Sequence, residues 1–232
     1  WGPALALAAA AFPLAAGIRR ANWTAGLNSS DCKVLQLMGK DAFNLDTFLR
    51  LPWYSQWQMP QSYQKKEDLV CVRAKYERLP KSRQWQLRGW SDVSVQNKAR
   101  QADGTSSDTK NSVCAQQLDG PRLAVGPCSA APPALPGGGG DHWVVWFEDG
   151  DAKDGKGGWT IVAGGQPDRE TKDGRCLYKD QENRGLWIMT REVRPNALAI
   201  KEAILVARHR GLETSELVQV DNKNCDYVFG SQ

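Results

Sequence analysis

Between residues 53 and 59 the chain alternates: Trp53, Ser55, Trp57 and Met59 share one face, and Tyr54, Gln56 and Gln58 share the other. A period of two over such a length predicts a strand with one side in a core. The pattern recurs over 69–79, where Val72, Ala74 and Tyr76 oppose Arg73, Lys75 and Glu77. It recurs again over 84–95, where Trp85, Leu87, Val93 and Val95 keep even spacing and Gly89 marks a bend or bulge. Shorter apolar runs at 113–118, 122–125, 143–147, 159–163 and 186–190 are separated by Gly, Asp and Pro turns. Together these predict eight short strands with hairpin-like connections and no intervening long helices. That pattern argues for an antiparallel barrel or sandwich rather than a parallel sheet. A change of period to 3.6 occurs once: Ala197, Ile200, Ile204 and Ala207 form a stripe, opened by Pro195 and Asn196 and ended by Gly211, which predicts a helix over 196–210. The fold class expected is therefore all-β with one C-terminal α-helix. The Ala, Pro and Gly stretch from 130 to 140 reads as a loop between strands.

Composition narrows the setting. Of 232 residues 41% are hydrophobic and 24% charged, and the mean hydropathy is -0.53, which fits one water-soluble core rather than a membrane-embedded chain. The 30 basic and 26 acidic side chains leave a net charge of +4 with no basic stripe, so nucleic acid is not an expected partner. Six cysteines (Cys32, Cys71, Cys114, Cys128, Cys176 and Cys225) show no Cys-x-x-Cys spacing, and His142 and His209 are the only histidines. No metal is expected. An even cysteine count without metal spacing fits a disulfide framework made in an oxidising compartment, with the pairing open at this level. Sequons at Asn22 and Asn28 agree with secretion.

The segment from 2 to 18 is almost entirely Ala, Leu, Pro, Phe and Gly and is followed by Arg19 and Arg20. It has the character of a signal-peptide core and equally of a short membrane anchor or docking helix. The organisation expected is an apolar N-terminal segment at 1–20, an irregular extension at 21–44 and one folded domain at 45–228.

Three local sequences, in order along that domain, resemble the lipocalin family, whose relevant branch includes apolipoprotein D and bacterial and algal lipocalins. Leu51-Pro-Trp-Tyr is similar to the family's opening Gly-x-Trp-Tyr, with Leu51 in place of the glycine. Asp141-His-Trp-Val-Val-Trp is similar to a Tyr-Trp-containing strand of the same branch, and Gly185-Leu-Trp-Ile-Met-Thr-Arg resembles the Trp-Ile-Leu-x-Arg strand. The resemblance implies an eight-stranded antiparallel up-and-down β-barrel in which Trp53 plugs the closed end and Arg191 lies across it as a cation–π contact. It also implies the pairings Cys71–Cys225 and Cys32–Cys176, with Cys114 and Cys128 bridging neighbouring strands.

A barrel of this size holds one small molecule, so function turns on the inward-facing positions. Strand parity assigns Trp57, Tyr76, Trp85, Trp146, Trp187 and Met189 to the interior, a flat and mostly apolar lining suited to a lipid, sterol, carotenoid or other pigment. No cofactor is required in this reading, and any bound lipid or pigment is cargo. Catalysis has no motif support: paired carboxylates and an activated nucleophile are missing, and each histidine stands without a motif partner. The stretch from Asp149 to Gly155 is faintly like a calcium loop, but Lys153 breaks the ligand order and Thr160 occupies the place of the closing glutamate, so a polar turn is expected. Two other readings stand beside the carrier. In one, residues 1–20 dock the domain to a membrane complex, such as one on the lumenal side of a photosynthetic membrane, and the pocket is vestigial. In the other the chain is an enzyme like violaxanthin de-epoxidase, with Glu148 and Asp149 as the nearest acidic candidates for the cavity.

Overall fold

A computed structural model of the chain describes residues 32, 35–82, 91–101, 103–129, 140–178 and 185–225. The apolar segment at 1–20, most of the extension at 21–44, the loop from 130 to 139 and Trp85 lie outside the described residues. The strands are β1 (Trp53–Gln58), β2 (Val70–Arg78), β3 (Val93–Arg100), β4 (Ser106–Asp108), β5 (Val113–Asp119), β6 (Arg122–Pro127), β7 (Gly140–Glu148), β8 (Trp159–Ala163), β9 (Arg169–Glu170), β10 (Cys176–Leu177), β11 (Leu186–Thr190) and β12 (Val218–Gln219). The α-helices are α1 (Leu45–Leu49) and α2 (Ala197–His209). Following the hydrogen-bonded neighbours β1, β2, β3, β5, β6, β7, β8 and β11, the sheet returns to β1, which closes an antiparallel eight-stranded barrel. β4 extends the sheet beside β3, β12 lies against β1, and β9 and β10 form a separate small ribbon.

The predicted third strand needs correction at its far end: β3 runs on to Arg100, past the last clear apolar position at Val95. Asn97 and Lys98 break the alternation there, and the segment is held by its ladders with β2 and β4, with Ala99 buried. The helix stripe is also displaced. Ala199, Ala203 and Ala207, four residues apart, are buried, while Ala197 is exposed and Ile200 and Ile204 are half-buried. Methyl-sized side chains let the helix axis approach β8 and β11 closely. Covered outside by α2 and inside by the core, β8 is buried at every position. The Asn196 side chain caps α2 by accepting from Leu198 N at 3.0 Å.

One end of the barrel is sealed by aromatic side chains. Phe43, Phe48, Trp53 and Phe147 pack with ring centroids 5.4 to 6.4 Å apart, and Trp53 is fully buried. The α1 turn lays Phe48 across this end and supplies its carbonyl to Trp53 Nε1 at 3.0 Å. Arg191, the residue after β11, stacks its guanidinium 3.5 Å from the Trp53 ring centroid. The same group donates to the carbonyls of Leu51, Thr47 and Phe48 and to Asp149 Oδ1, the last at 2.8 Å. Arg50 approaches the other oxygen of Asp149 at 2.7 Å. Burial pulls Arg191 down to about 10, with Asp149 opposing that shift, so it stays charged at neutral pH. The β7–β8 loop passes close over it. A Cβ at Gly158 would lie 2.6 Å from Arg191 Cγ, and Gly155, at φ +74, would put one 2.8 Å from the same side chain. The stretch that faintly resembled a calcium loop is thus a wrap around Arg191, with Asp149 as the counter-ion.

Cys32–Cys176, Cys71–Cys225 and Cys114–Cys128 are bonded, as the family resemblance implied. The first ties the N-terminal flanking segment to the β9–β10 ribbon and the second ties the C-terminal one to β2 of the barrel, over sequence separations of 144 and 154.

Replacing Arg191 by Met removes the stacked cation and the donors to three α1-region carbonyls while keeping bulk. The expected loss is about 3 kcal/mol in chemical denaturation, because the carbonyls and Asp149 lose a buried partner. A loss below about 1 kcal/mol would show that the aromatic plug closes the barrel unaided.

Candidate ligand-binding site

Within the barrel, above the aromatic plug, is a cavity of about 440 Å³. Its deeper wall is apolar and comes from alternate positions of successive strands: Ala74 and Tyr76 on β2, Val95 on β3, Val113 on β5, Val125 on β6, and Trp187 and Met189 on β11. The far rim is polar and includes Tyr63, Gln64, Asp68, Gln101, Thr109 and Asp141. Along one wall the polar groups satisfy each other. Ser55 Oγ donates to Gln58 Oε1 at 3.1 Å, Gln58 Nε2 to Gln64 Oε1 at 2.7 Å, and Gln64 Nε2 to the Asp68 carbonyl at 3.4 Å.

Tyr76, Trp187 and Met189 line this cavity, where strand parity places them. Trp57 and Trp146 do not: Trp57 packs into the cluster beneath α2, and Trp146 packs there too while also touching the inner core cluster. The cause is the same in both strands. In β1 the pairing with β11 steps from Ser55↔Met189 to Trp57↔Ile188, which leaves Gln56 as an extra residue. In β7 the pairing with β8 steps from Val144↔Val162 to Trp146↔Ile161, which leaves Val145 extra. A one-residue bulge reverses the facing of everything beyond it, so Gln58 turns inward and the two tryptophans turn out. Each extra residue has its carbonyl engaged by a flanking segment: Val220 N donates to Gln56 O at 2.9 Å, and Met38 N to Val145 O at 2.8 Å. The Gln56 side chain is pinned outside on Thr190 Oγ1 at 2.9 Å. Outside, Trp146 gains the guanidinium of Arg210 at 4.7 Å from its ring centroid. Trp85 lies outside the described residues.

The residue that sequence reasoning passed over is His142. It faces the cavity opposite Leu123, and its Nε2 lies 2.9 Å from the Tyr76 hydroxyl. The surface it exposes opens onto the cavity, and desolvation lowers its pKa from 6.5 to about 4. Burial pushes the Tyr76 hydroxyl well above its ordinary value. Both groups are therefore neutral at pH 7. The Trp187 ring stands 6.3 Å from the imidazole, and Phe48 of the plug lies 5.4 Å from the Tyr76 ring. The signal in the sequence was parity: His142 shares the facing of Val144 before the bulge at Val145.

Neither Glu148 nor Asp149 belongs to the cavity. Glu148 accepts from Trp146 Nε1 at 2.8 Å on the outside, and Asp149 is held between Arg50 and Arg191 at the closed end. The carboxylates that do line the cavity, Asp68 and Asp141, stand at its rim. Among the described residues no group of three or more His, Cys, Asp and Glu is placed to hold a metal ion, and no helix is long and apolar enough to cross a membrane.

No family profile and no curated protein matches the sequence. Solved structures do match. Apocrustacyanin C1 aligns over 84% of this chain and 92% of its own at a TM-score of 0.52 and 11% identity. Lipocalin 12 from rat epididymis (86% and 95% covered, TM-score 0.49, 11% identity) and insecticyanin from the tobacco hornworm Manduca sexta (82% and 86%, 0.48, 14%) are more distant in shape. At such identities the likeness is one of fold, and the fold is that of the lipocalins: a closed eight-stranded barrel followed by one helix.

The lowered pKa of His142 makes stability depend on pH. The unfolded chain takes up the proton near 6.5 and the folded chain near 4, so the contribution is full above the first value and is lost as pH falls between the two. The expected decline is about 3 kcal/mol between those pH values, read from urea midpoints, and His142→Gln should flatten it. An unchanged slope in that variant would show that the imidazole titrates in contact with water.

Proposed function

We propose that the protein is a binding or carrier protein for one small hydrophobic molecule, held in the barrel cavity. The observation that carries this is the cavity itself: it measures about 440 Å³, lies over a sealed aromatic end and has an apolar deeper wall. Outward placement of Trp57 and Trp146 speaks against a vestigial pocket, because the side chains best able to fill the interior are used elsewhere. No cofactor takes part, and a lipid or pigment found in the barrel would be the cargo. The three disulfides support residence in an oxidising, extracytoplasmic compartment. Within the lipocalins, the bonds Cys71–Cys225 and Cys32–Cys176 support kinship with the apolipoprotein D-like branch.

The test is solvent extraction of protein purified from its source, with native mass spectrometry before and after. A released compound at one per chain supports the carrier, and an empty barrel that also fails to take up the neutral fluorophore N-phenyl-1-naphthylamine overturns it. In the same titrations Trp187→Phe is expected to lose most of the ligand-induced quenching of tryptophan emission, whereas Trp57→Phe and Trp146→Phe keep it. The reverse pattern would contradict the bulged registers.

A further inference from the structure

Among the polar groups that line the cavity is the pair formed by Tyr76 and His142. Its environment separates it from the rim. Tyr76 rests against Phe48 of the plug and His142 faces Trp187, while the charged side chains of the lining are Asp68, Arg73, Lys98 and Asp141. Two of those are engaged: Lys98 with Asp108 at 3.5 Å and Arg73 with Gln96 at 3.4 Å. The pair shares one hydrogen bond and so keeps further capacity in either arrangement. When the hydroxyl donates to Nε2, the imidazole Nδ1–H and a lone pair of the phenol oxygen remain; when Nε2–H donates, the phenol O–H remains. Among the described residues neither group has a second hydrogen-bond partner. A buried polar group lacking its bond is costly, and an apolar ligand carrying one oxygen at the right depth relieves that cost.

We infer that the Tyr76–His142 pair is an uncharged anchor that selects, for the carrier site proposed above, an apolar molecule ending in a neutral oxygen function (alcohol, aldehyde or ketone) over its carboxylate counterpart. The chemistry is one of matching. A hydroxyl or carbonyl exchanges bonds with water for bonds with the pair at little net cost. A carboxylate brought to the pair gives up its hydration and meets a phenol and a neutral imidazole rather than a cation of the pair's own. Because burial holds both groups neutral near pH 7, the pair cannot supply a compensating charge.

The experiment titrates the full chain at pH 7.4 with retinol, retinaldehyde and retinoic acid, which share a polyene and differ at its end, with N-phenyl-1-naphthylamine as a probe of the cavity alone. Retinol or retinaldehyde is expected to bind at least about tenfold tighter than retinoic acid. Tyr76→Phe keeps the ring and should narrow that ratio several-fold. Retinoic acid binding as tightly as the neutral forms, or a ratio unchanged in Tyr76→Phe, overturns the anchor and transfers the polar contact to the lining cations Arg73 and Lys98. If that variant does not fold, the comparison of ligands in the unaltered chain still decides. Uptake of the naphthylamine without discrimination among the retinoids, or with none of them bound, overturns the anchor alone. Failure of every compound, the naphthylamine included, removes the carrier reading with it.

Discussion

The stacking of Arg191 on Trp53 is the contact on which the barrel's closure rests. Trp53 begins β1 and Arg191 follows β11, the two strands whose pairing turns an eight-stranded sheet into a cylinder. A guanidinium is suited to this place because its planar face covers an indole while its edge donates in several directions at once. Here it reaches the carbonyls left by the end of α1, the Leu51 carbonyl and Asp149. The result is a sealed end that allows the opposite half of the interior to stay unfilled. Without such a seal, an apolar cavity of this size would be an open defect rather than a site.

The two bulges connect packing to function. Each gives up a residue of alternation, turns a tryptophan to the outside and frees a carbonyl that a flanking segment then takes up. Those segments are the ones tethered by disulfides: the chain after Cys32 supplies Met38, and the chain before Cys225 supplies Val220. The outward tryptophans thicken the layer beneath α2, where Ala199, Ala203 and Ala207 leave room for large neighbours. Inside, their absence leaves a lining that is less aromatic and more mixed, with the neutral Tyr76–His142 pair among its polar groups.

Most of the architecture was legible from the residues. Alternation marks β2 over Ala74 to Glu77, where Ala74 and Tyr76 turn to the core while Lys75 and Glu77 stay more exposed. The switch of period at Ala197 marks α2 for the same reason, and the ordered tryptophan motifs led to the closed end and to Arg191. The half of β3 beyond Val95 was not legible: Asn97 and Lys98 carry little hydrophobic contrast, and pairing with β2 sets their conformation.

For the site, sequence by itself determined that Tyr76, Trp187 and Met189 share the interior, since Arg73 to Arg78 in β2 and Leu186 to Thr190 in β11 keep an unshifted register against β3 and β8. Tertiary structure decided the rest. Whether Trp57 and Trp146 face in or out depends on one extra residue in each strand, which local pattern cannot count because the extra residue is defined only against its partner strand. His142 acquired its role in the same way: the neighbour that makes it more than a lone histidine, Tyr76, is 66 positions away in the chain and 2.9 Å away in the barrel.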